Sequence, residues 1–286
     1  MDVYVNGQWT DRDSATVDIE DRAHVFGDGI YEVIRVYGGV FYERDGHLDR
    51  FERSAREIGI KLPVTREELL QLLHEGIRRN AVHDGTIYFQ VSRGVAARKH
   101  PFPDPEVKAS LMITTKEAPR PVEAMEKGVS AITCEDIRWL RCDIKSLNLL
   151  GNVMANQKAV EAGAFEAIQH RAEVVTEGSH SNVMMVKDGT VYTHPANNLI
   201  LNGITRMRVL ALCKENGIEV QERECTLSEY ESADEVFFTG TTVEVMPVIS
   251  INGTSVSNGT VGPVARQLQK AFEEDIEVQT KEVKLL

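Results

Sequence analysis

The chain has 286 residues, 42% hydrophobic and 27% charged, which excludes a disordered protein and is long enough for two domains of ordinary size. Asp plus Glu number 44 against 32 Lys plus Arg, a formal charge of -12 that no basic run offsets, so neither nucleic acid nor an anionic membrane is an expected partner. Met1-Asp2-Val3-Tyr4-Val5-Asn6-Gly7 lacks the basic and apolar regions of a leader, no run approaches a membrane span, and Cys134, Cys142, Cys213 and Cys225 have no metal-ligand spacing; the expectation is a cytoplasmic, soluble protein with free thiols.

In chain order, Tyr4-Val5, the turn Asn6-Gly7 and Gln8-Trp9-Thr10 predict a hairpin, and Gly38-Gly39 joins Val33–Tyr37 to Val40–Tyr42 in the same way. A helix is expected from about His47 to Ile58, with Leu48, Phe51, Ala55 and Ile58 on one face. Thr65-Arg66-Glu67-Glu68 is a capping-box pattern opening a second helix through Leu69, Leu72, Leu73 and Ile77. Strands follow at Thr86–Arg93 and Lys108–Thr115. Ala118-Pro119-Arg120-Pro121 reads as a linker, giving an N-terminal α+β domain over 1–118, a linker at 119–122 and a second domain over 123–286.

In the second domain, strands at 129–134, 166–170, 183–186, 190–192, 218–223 and 235–238 alternate with helices near 147–162, 205–216 and 263–273. Asp188-Gly189, Asn252-Gly253 and Asn258-Gly259 mark tight turns, and the short hairpins favour a barrel-like sheet flanked by helices over a doubly wound one.

No dinucleotide, Walker or metal-ligand motif is present. Lys145, among Ile144, Leu147, Leu149 and Leu150, has no acid at i+3 or i+4 and reads as a lysine opening an apolar helix. Such a lysine is either a surface residue with its stem on apolar neighbours or an amine freed for Schiff-base chemistry. Thr176-Glu177-Gly178-Ser179-His180-Ser181-Asn182 reads as an acidic, hydroxyl-rich turn, in which Glu177 is either solvated or functional. Asn202-Gly203-Ile204-Thr205-Arg206 leads a strand into a helix, and Thr239-Gly240-Thr241-Thr242 is a second hydroxyl-rich turn; each suits an anion or an ordinary cap. Arg50 is either a phosphate's counter-charge or a partner of Asp49 or Glu57 on a solvated face.

Phe26-Gly27-Asp28-Gly29-Ile30-Tyr31-Glu32, His47-Leu48-Asp49-Arg50, Asp143-Ile144-Lys145-Ser146-Leu147-Asn148, Glu177-Gly178-Ser179-His180-Ser181-Asn182 and Gly203-Ile204-Thr205-Arg206 together resemble the ordered motifs of the class IV, branched-chain-type pyridoxal-phosphate aminotransferases. Within that family the chain is most similar to the D-amino-acid branch, from Asp21-Arg22 to about Pro247. The resemblance implies the two-domain fold type IV architecture, with a smaller N-terminal α/β sandwich and a larger cofactor-binding domain. It also implies pyridoxal 5'-phosphate as cofactor and ping-pong transfer of the amino group of D-alanine to 2-oxoglutarate.

By the same resemblance Lys145 binds the coenzyme and moves the substrate proton, Glu177 faces the pyridine nitrogen, and Leu201 packs on the ring. Arg50, Ile204, Thr205, Gly240 and Thr241 hold the phosphate. Tyr31, Val33, Ser179 and Ser181 meet the substrate, and Arg98 and His100 trap its carboxylate across an obligatory homodimer. Branched-chain L-amino-acid or (R)-amine transamination, and an aminodeoxychorismate-lyase-like elimination, are the alternatives that the scaffold also implies. Two departures from the family pattern concern fine specificity: Gly240 stands where serine is frequent, and His180 lies between Ser179 and Ser181.

Overall fold

The computed structural model describes residues 1–284, and these form two compact units. The first comprises Met1–Pro119, the distant segment Ile144–Asn148 and the end of the chain from Thr280. Its elements are β1 (Asp2–Val5), β2 (Gln8–Asp11), α1 (Arg22–Phe26), β3 (Gly29–Tyr37), β4 (Val40–Phe41), α2 (Arg44–Glu57), α3 (Arg66–Arg79), β5 (Gly85–Ser92) and β6 (Ser110–Glu117).

The six strands run β2-β1-β6-β5-β3-β4, antiparallel throughout. Asn6 and Gly7 both take positive φ, 48° and 105°, the geometry that lets a two-residue turn follow the twist of its strands. Ile30 and Ile34 of β3, Ile87 and Phe89 of β5 and Ile113 of β6 alternate onto one face, which Leu48 and Phe51 of α2 and Leu69 and Leu73 of α3 cover. The expected capping box is present: Thr65 and Glu68 satisfy each other's backbone amides.

The second unit comprises Arg120–Asp143 and Leu149–Gln279. It contains α4 (Val122–Lys127), β7 (Val129–Glu135), α5 (Leu150–Glu161), β8 (Glu166–Arg171), β9 (Val174–Gly178), β10 (Asn182–Lys187), β11 (Thr190–Thr193), α6 (Ile204–Glu215), β12 (Val220–Glu222), α7 (Leu227–Glu231), β13 (Glu235–Gly240), β14 (Glu244–Ile251), β15 (Thr254–Ser255) and α8 (Pro263–Lys284). Its sheet runs β12-β11-β10-β13-β14-β7-β8-β9, with β15 on β14. β9 lies at one end of that order and β10 near the other, yet only Ser179–Ser181 separate them and Gly178 N–H donates to Ser181 C=O at 2.8 Å. The sheet therefore curls, giving the barrel-like form expected.

Two local expectations change, and one strand, β14, was not expected. Lys145 does not open a helix, because α5 begins at Leu150 and Ile144–Asn148 is an irregular segment bridged to β3 at Ile30–Ser146. Tyr31 N–H donates to Lys145 C=O at 3.0 Å, Leu147 N–H donates to Gly29 C=O at 2.9 Å, and Ile144 belongs to the core of the first unit. Ile144 and Leu147 thus serve the core and the strand edge of the first unit, while Leu150 belongs to α5. Thr176–Gly178 is the end of β9 and not a turn; its polar side chains are held inside the sheet by partners that the sequence does not reveal. β14 carries Pro247, which argues against a central strand, but its pairing to β7 begins only at Val248.

Candidate active site

In the first unit, the segment beside β3 fixes Lys145 over Tyr31. Its Nζ lies 4.4 Å from the ring centroid and donates to Tyr31 Oη at 3.4 Å, while its backbone N–H meets Ser54 Oγ at 3.4 Å. Among the described residues no carboxylate ion-pairs with this amine. Tyr31 and Val33 share a face of β3, and Tyr31 stacks on Tyr88 at 5.6 Å.

Glu32 points the other way, into the core, at a position in phase with Ile30 and Ile34. Arg50 donates to it through Nε at 2.7 Å and Nη2 at 2.9 Å, and His47 Nδ1 lies 2.8 Å from Oε2. Burial works to raise the Glu32 carboxyl, but Arg50 and His47 outweigh it and hold the group well below the ordinary range. Burial lowers His47, against the pull of Glu32. Arg50 is 8% exposed, so the solvated-face alternative does not describe it. A lone acid in phase with the apolar positions of a strand was the signal in the sequence for this cluster.

In the second unit, Glu177 is 4% exposed, which removes the solvated reading. It accepts from Arg138 Nη1, from Asn182 Nδ2 at 2.9 Å and from the Leu201 N–H at 3.0 Å. Burial nevertheless pushes its carboxyl up to about 7, with Arg138 and the Leu201 amide pulling downward. Asp136, on the far side of Arg138, keeps a pKa of about 2: burial raises it, but Arg138 and Arg171 prevail. One acid is thus firmly ionised and its neighbour is poised near neutrality. Arg138 and Asp136 escaped the sequence reading because the strand β7 and a bend bring them to β9.

Asn182 also donates to Leu201 C=O at 2.8 Å, tying the acid to the entry of α6. Gly203, the residue before α6, makes no side-chain cap, so among the described residues the amides of Ile204 and Thr205 begin a twelve-residue helix with no side chain upon them. The buried hydroxyl of Thr239 has no partner among the described residues. An uncapped helix start and an orphaned hydroxyl suit a phosphate, and a poised buried acid suits a ring nitrogen that carries a proton. At Gly240 a Cβ would stand 3.2 Å from Val243 Cγ2, so a serine there would need Val243 to give way.

Four further residues were expected at the substrate, two in each unit. Ser179 and Ser181 are buried in the turn after β9. Arg98 and His100 lie on an exposed loop against α1, with the Arg98 guanidinium 5.2 Å from the Phe26 ring and the His100 ring 5.5 Å from it. Among the described residues neither bonds to Tyr31 or Lys145.

The first unit thus offers a lysine over a tyrosine, and the second, by itself, a buried acid gripped by an arginine and a helix start whose amides suit an anion. The match to the amino-transferase class IV family spans residues 29–251, and the chain belongs to that family. More particularly, it is 51% identical to a D-alanine aminotransferase of Staphylococcus epidermidis over 275 residues, which cover 96% of this chain and 98% of the relative. Among solved structures, the branched-chain amino acid aminotransferase of Escherichia coli superposes with a TM-score of 0.91 at 28% identity, covering 96% of this chain and 93% of that one. The T.th. branched-chain amino acid aminotransferase with pyridoxamine 5'-phosphate gives 0.89 at 31% identity, with coverages of 96% and 93%. The fold is therefore that of the fold type IV aminotransferases.

Proposed function

We propose that this chain is a pyridoxal-phosphate-dependent D-amino-acid transaminase, moving the amino group of D-alanine to 2-oxoglutarate to give pyruvate and D-glutamate in two half-reactions. The observation that carries the reading is the 51% identity to a D-alanine aminotransferase across nearly the whole of both chains, against 28% to 31% for the branched-chain enzymes of like fold. The coenzyme, when bound, supplies an electron sink for the pair left at Cα.

The residues then take these roles. Lys145 Nζ would hold the coenzyme at its carbonyl carbon and would take and return the substrate's Cα proton; Tyr31 Oη, 3.4 Å away, orients the amine. Glu177, with Arg138, Asn182 and the Leu201 amide fixing it, keeps the pyridine nitrogen protonated. The amides of Ile204 and Thr205, with Gly240 and Thr241, hold the phosphate, and Arg50 supplies the positive charge, its guanidinium set by Glu32. Leu201 packs on the ring. Val33, Ser179 and Ser181 line the substrate's place.

Arg98 and His100 serve a second copy of the chain. Leu150, Val153, Met154 and Val160 form an exposed apolar stripe along α5, with Ile137, Trp139 and Leu140 exposed as well, the kind of surface that a partner chain buries. A homodimer covers it. No helix among the described residues is long and apolar enough to cross a membrane, and four buried free cysteines support the cytoplasm as the protein's place.

The test is turnover of purified holoenzyme. Pyruvate should form from D-alanine only when 2-oxoglutarate is present, with L-leucine and (R)-1-phenylethylamine inert. Activity with L-leucine alone would overturn the substrate reading, and pyruvate without acceptor would indicate elimination.

A further inference from the structure

The turn that follows Glu177 is braced by a carboxylate to which the reaction assigns no part. Glu166 opens β8 and is fully buried; its Oε1 accepts from the His180 N–H at 2.8 Å, the Ser181 N–H at 3.1 Å and Ser181 Oγ at 2.9 Å. Gly178 permits this approach, since a Cβ there would stand 2.3 Å from Glu166 Oε1. The other oxygen, Oε2, has no hydrogen-bond partner among the described residues and lies 3.4 Å from His180 Nε2, whose side chain is 43% exposed. The rest of the cage is neutral: Asn152 donates to Ser179 C=O at 2.8 Å, Ser179 Oγ donates to Asn156 at 3.2 Å, Gln169 donates to Gly178 C=O at 3.0 Å, and Phe165 flanks the His180 ring. The carboxylate of Glu177 is engaged by its own partners. Among the described residues, then, Glu166 and His180 are the ionisable pair on this turn.

We propose that His180 and Glu166 form a latch that holds Ser179 and Ser181 in place for substrate, closed when the imidazole carries a proton and slackened when it does not. Both are positioning residues, and the inference rests on the assignment of Ser179 and Ser181 to the substrate. The physics is that of a buried oxygen with an unmet bond. An imidazolium supplies both charge and donor to Oε2, whereas a neutral ring offers at most one weaker bond. Because Oε1 is tied to the amides of His180 and Ser181 and to the Ser181 hydroxyl, tension on the carboxylate is passed to Ser181 directly and to Ser179 through the His180 backbone.

The experiment is steady-state kinetics of holoenzyme with D-alanine and 2-oxoglutarate at pH 6 and pH 9, for wild type, His180→Ser, Glu166→Gln and the double variant. Serine at position 180 keeps the backbone donor and removes only the ring, at a half-exposed site that folding tolerates. The expected result for His180→Ser is a KM for D-alanine raised about threefold to tenfold at pH 6, under about twofold at pH 9, with kcat little changed. Glu166→Gln, which keeps an acceptor for the three donors but not the charge, should show the same loss, and the double variant should be no worse than either. Equal KM values for wild type and His180→Ser at both pH values would overturn the latch, and so would additive losses in the double variant. Inactivity of the wild type on D-alanine would instead strike at the substrate reading.

Discussion

Replacing Gly203 with alanine tests how the acid at the centre of the second unit is held. The new Cβ would stand 2.1 Å from Asn182 Oδ1, so that amide must move by more than an ångström to reach van der Waals distance. Asn182 is 4% exposed and cannot swing into solvent. Its displacement breaks the Nδ2 bonds to Glu177 at 2.9 Å and to Leu201 C=O at 2.8 Å. A bond to a charged acceptor contributes about 1.5–3 kcal/mol and a neutral one about 1, so the loss should be about 2.5–4 kcal/mol. For a unit of this size that lowers Tm by about 5 to 12 °C. Alanine in place of glycine at a helix N-cap adds a further cost of about 0.5–1 kcal/mol. The assay is thermal and urea unfolding of Gly203→Ala, Asn182→Ala and the double variant. With Asn182 truncated the clash is gone, and Gly203→Ala should then cost under about 1 kcal/mol. A Gly203→Ala protein as stable as wild type, or one whose full cost persists beside Asn182→Ala, would refute the reasoning.

Glu177 carries a pH signature. Its carboxyl rises from the ordinary 4.5 to about 7 on folding, so the folded state binds the proton more tightly. That contribution is fully present below about pH 4.5 and lost as pH rises through 7, roughly 3 kcal/mol in all. In Glu177→Gln apoprotein the slope of urea stability between pH 5 and 7.5 should flatten, while holoenzyme turnover falls at least about tenfold with coenzyme retained; an unchanged slope would remove the group from this role. Arg98→Ala should raise the KM for D-alanine more than it lowers kcat, and mixing it with inactive Lys145→Ala should restore one competent site per hybrid dimer. Hybrids no better than Arg98→Ala alone would place Arg98 outside the partner's site. Val153→Asp, at the centre of the α5 stripe, should convert the dimer to monomer in light scattering, and an unaltered mass would put the interface elsewhere.

Most of the architecture was legible because local signals carried it. Asn6-Gly7 and Gly38-Gly39 specify their turns through backbone freedom, and Thr65 with Glu68 announces α3 by chemistry that needs no tertiary context. β9 was not legible, since Thr176-Glu177-Gly178 is polar and turn-like until Asp136, Arg138, Gln169 and Asn182 arrive from elsewhere to satisfy it. α8 runs to Lys284 although the sequence suggested an end near Glu273, because its later turns carry few apolar residues. In the site, Lys145 and Glu177 stood out as residues, while what fixes them, a strand edge for one and an arginine with an asparagine for the other, comes from long-range pairing.

The segment Ile144–Asn148 has a consequence for biosynthesis. The start of β3 is covered on one side by β5 and on the other by this later stretch, which bridges Ile30 to Ser146. A nascent chain ending near Pro119 holds every strand of the first sheet but leaves the Tyr31 N–H and the Gly29 C=O without the partners that Lys145 and Leu147 later supply, a ready template for unwanted association. Only when about thirty further residues have left the ribosome does that edge close, and the same event sets the Lys145 amine over Tyr31, where the proposed chemistry needs it.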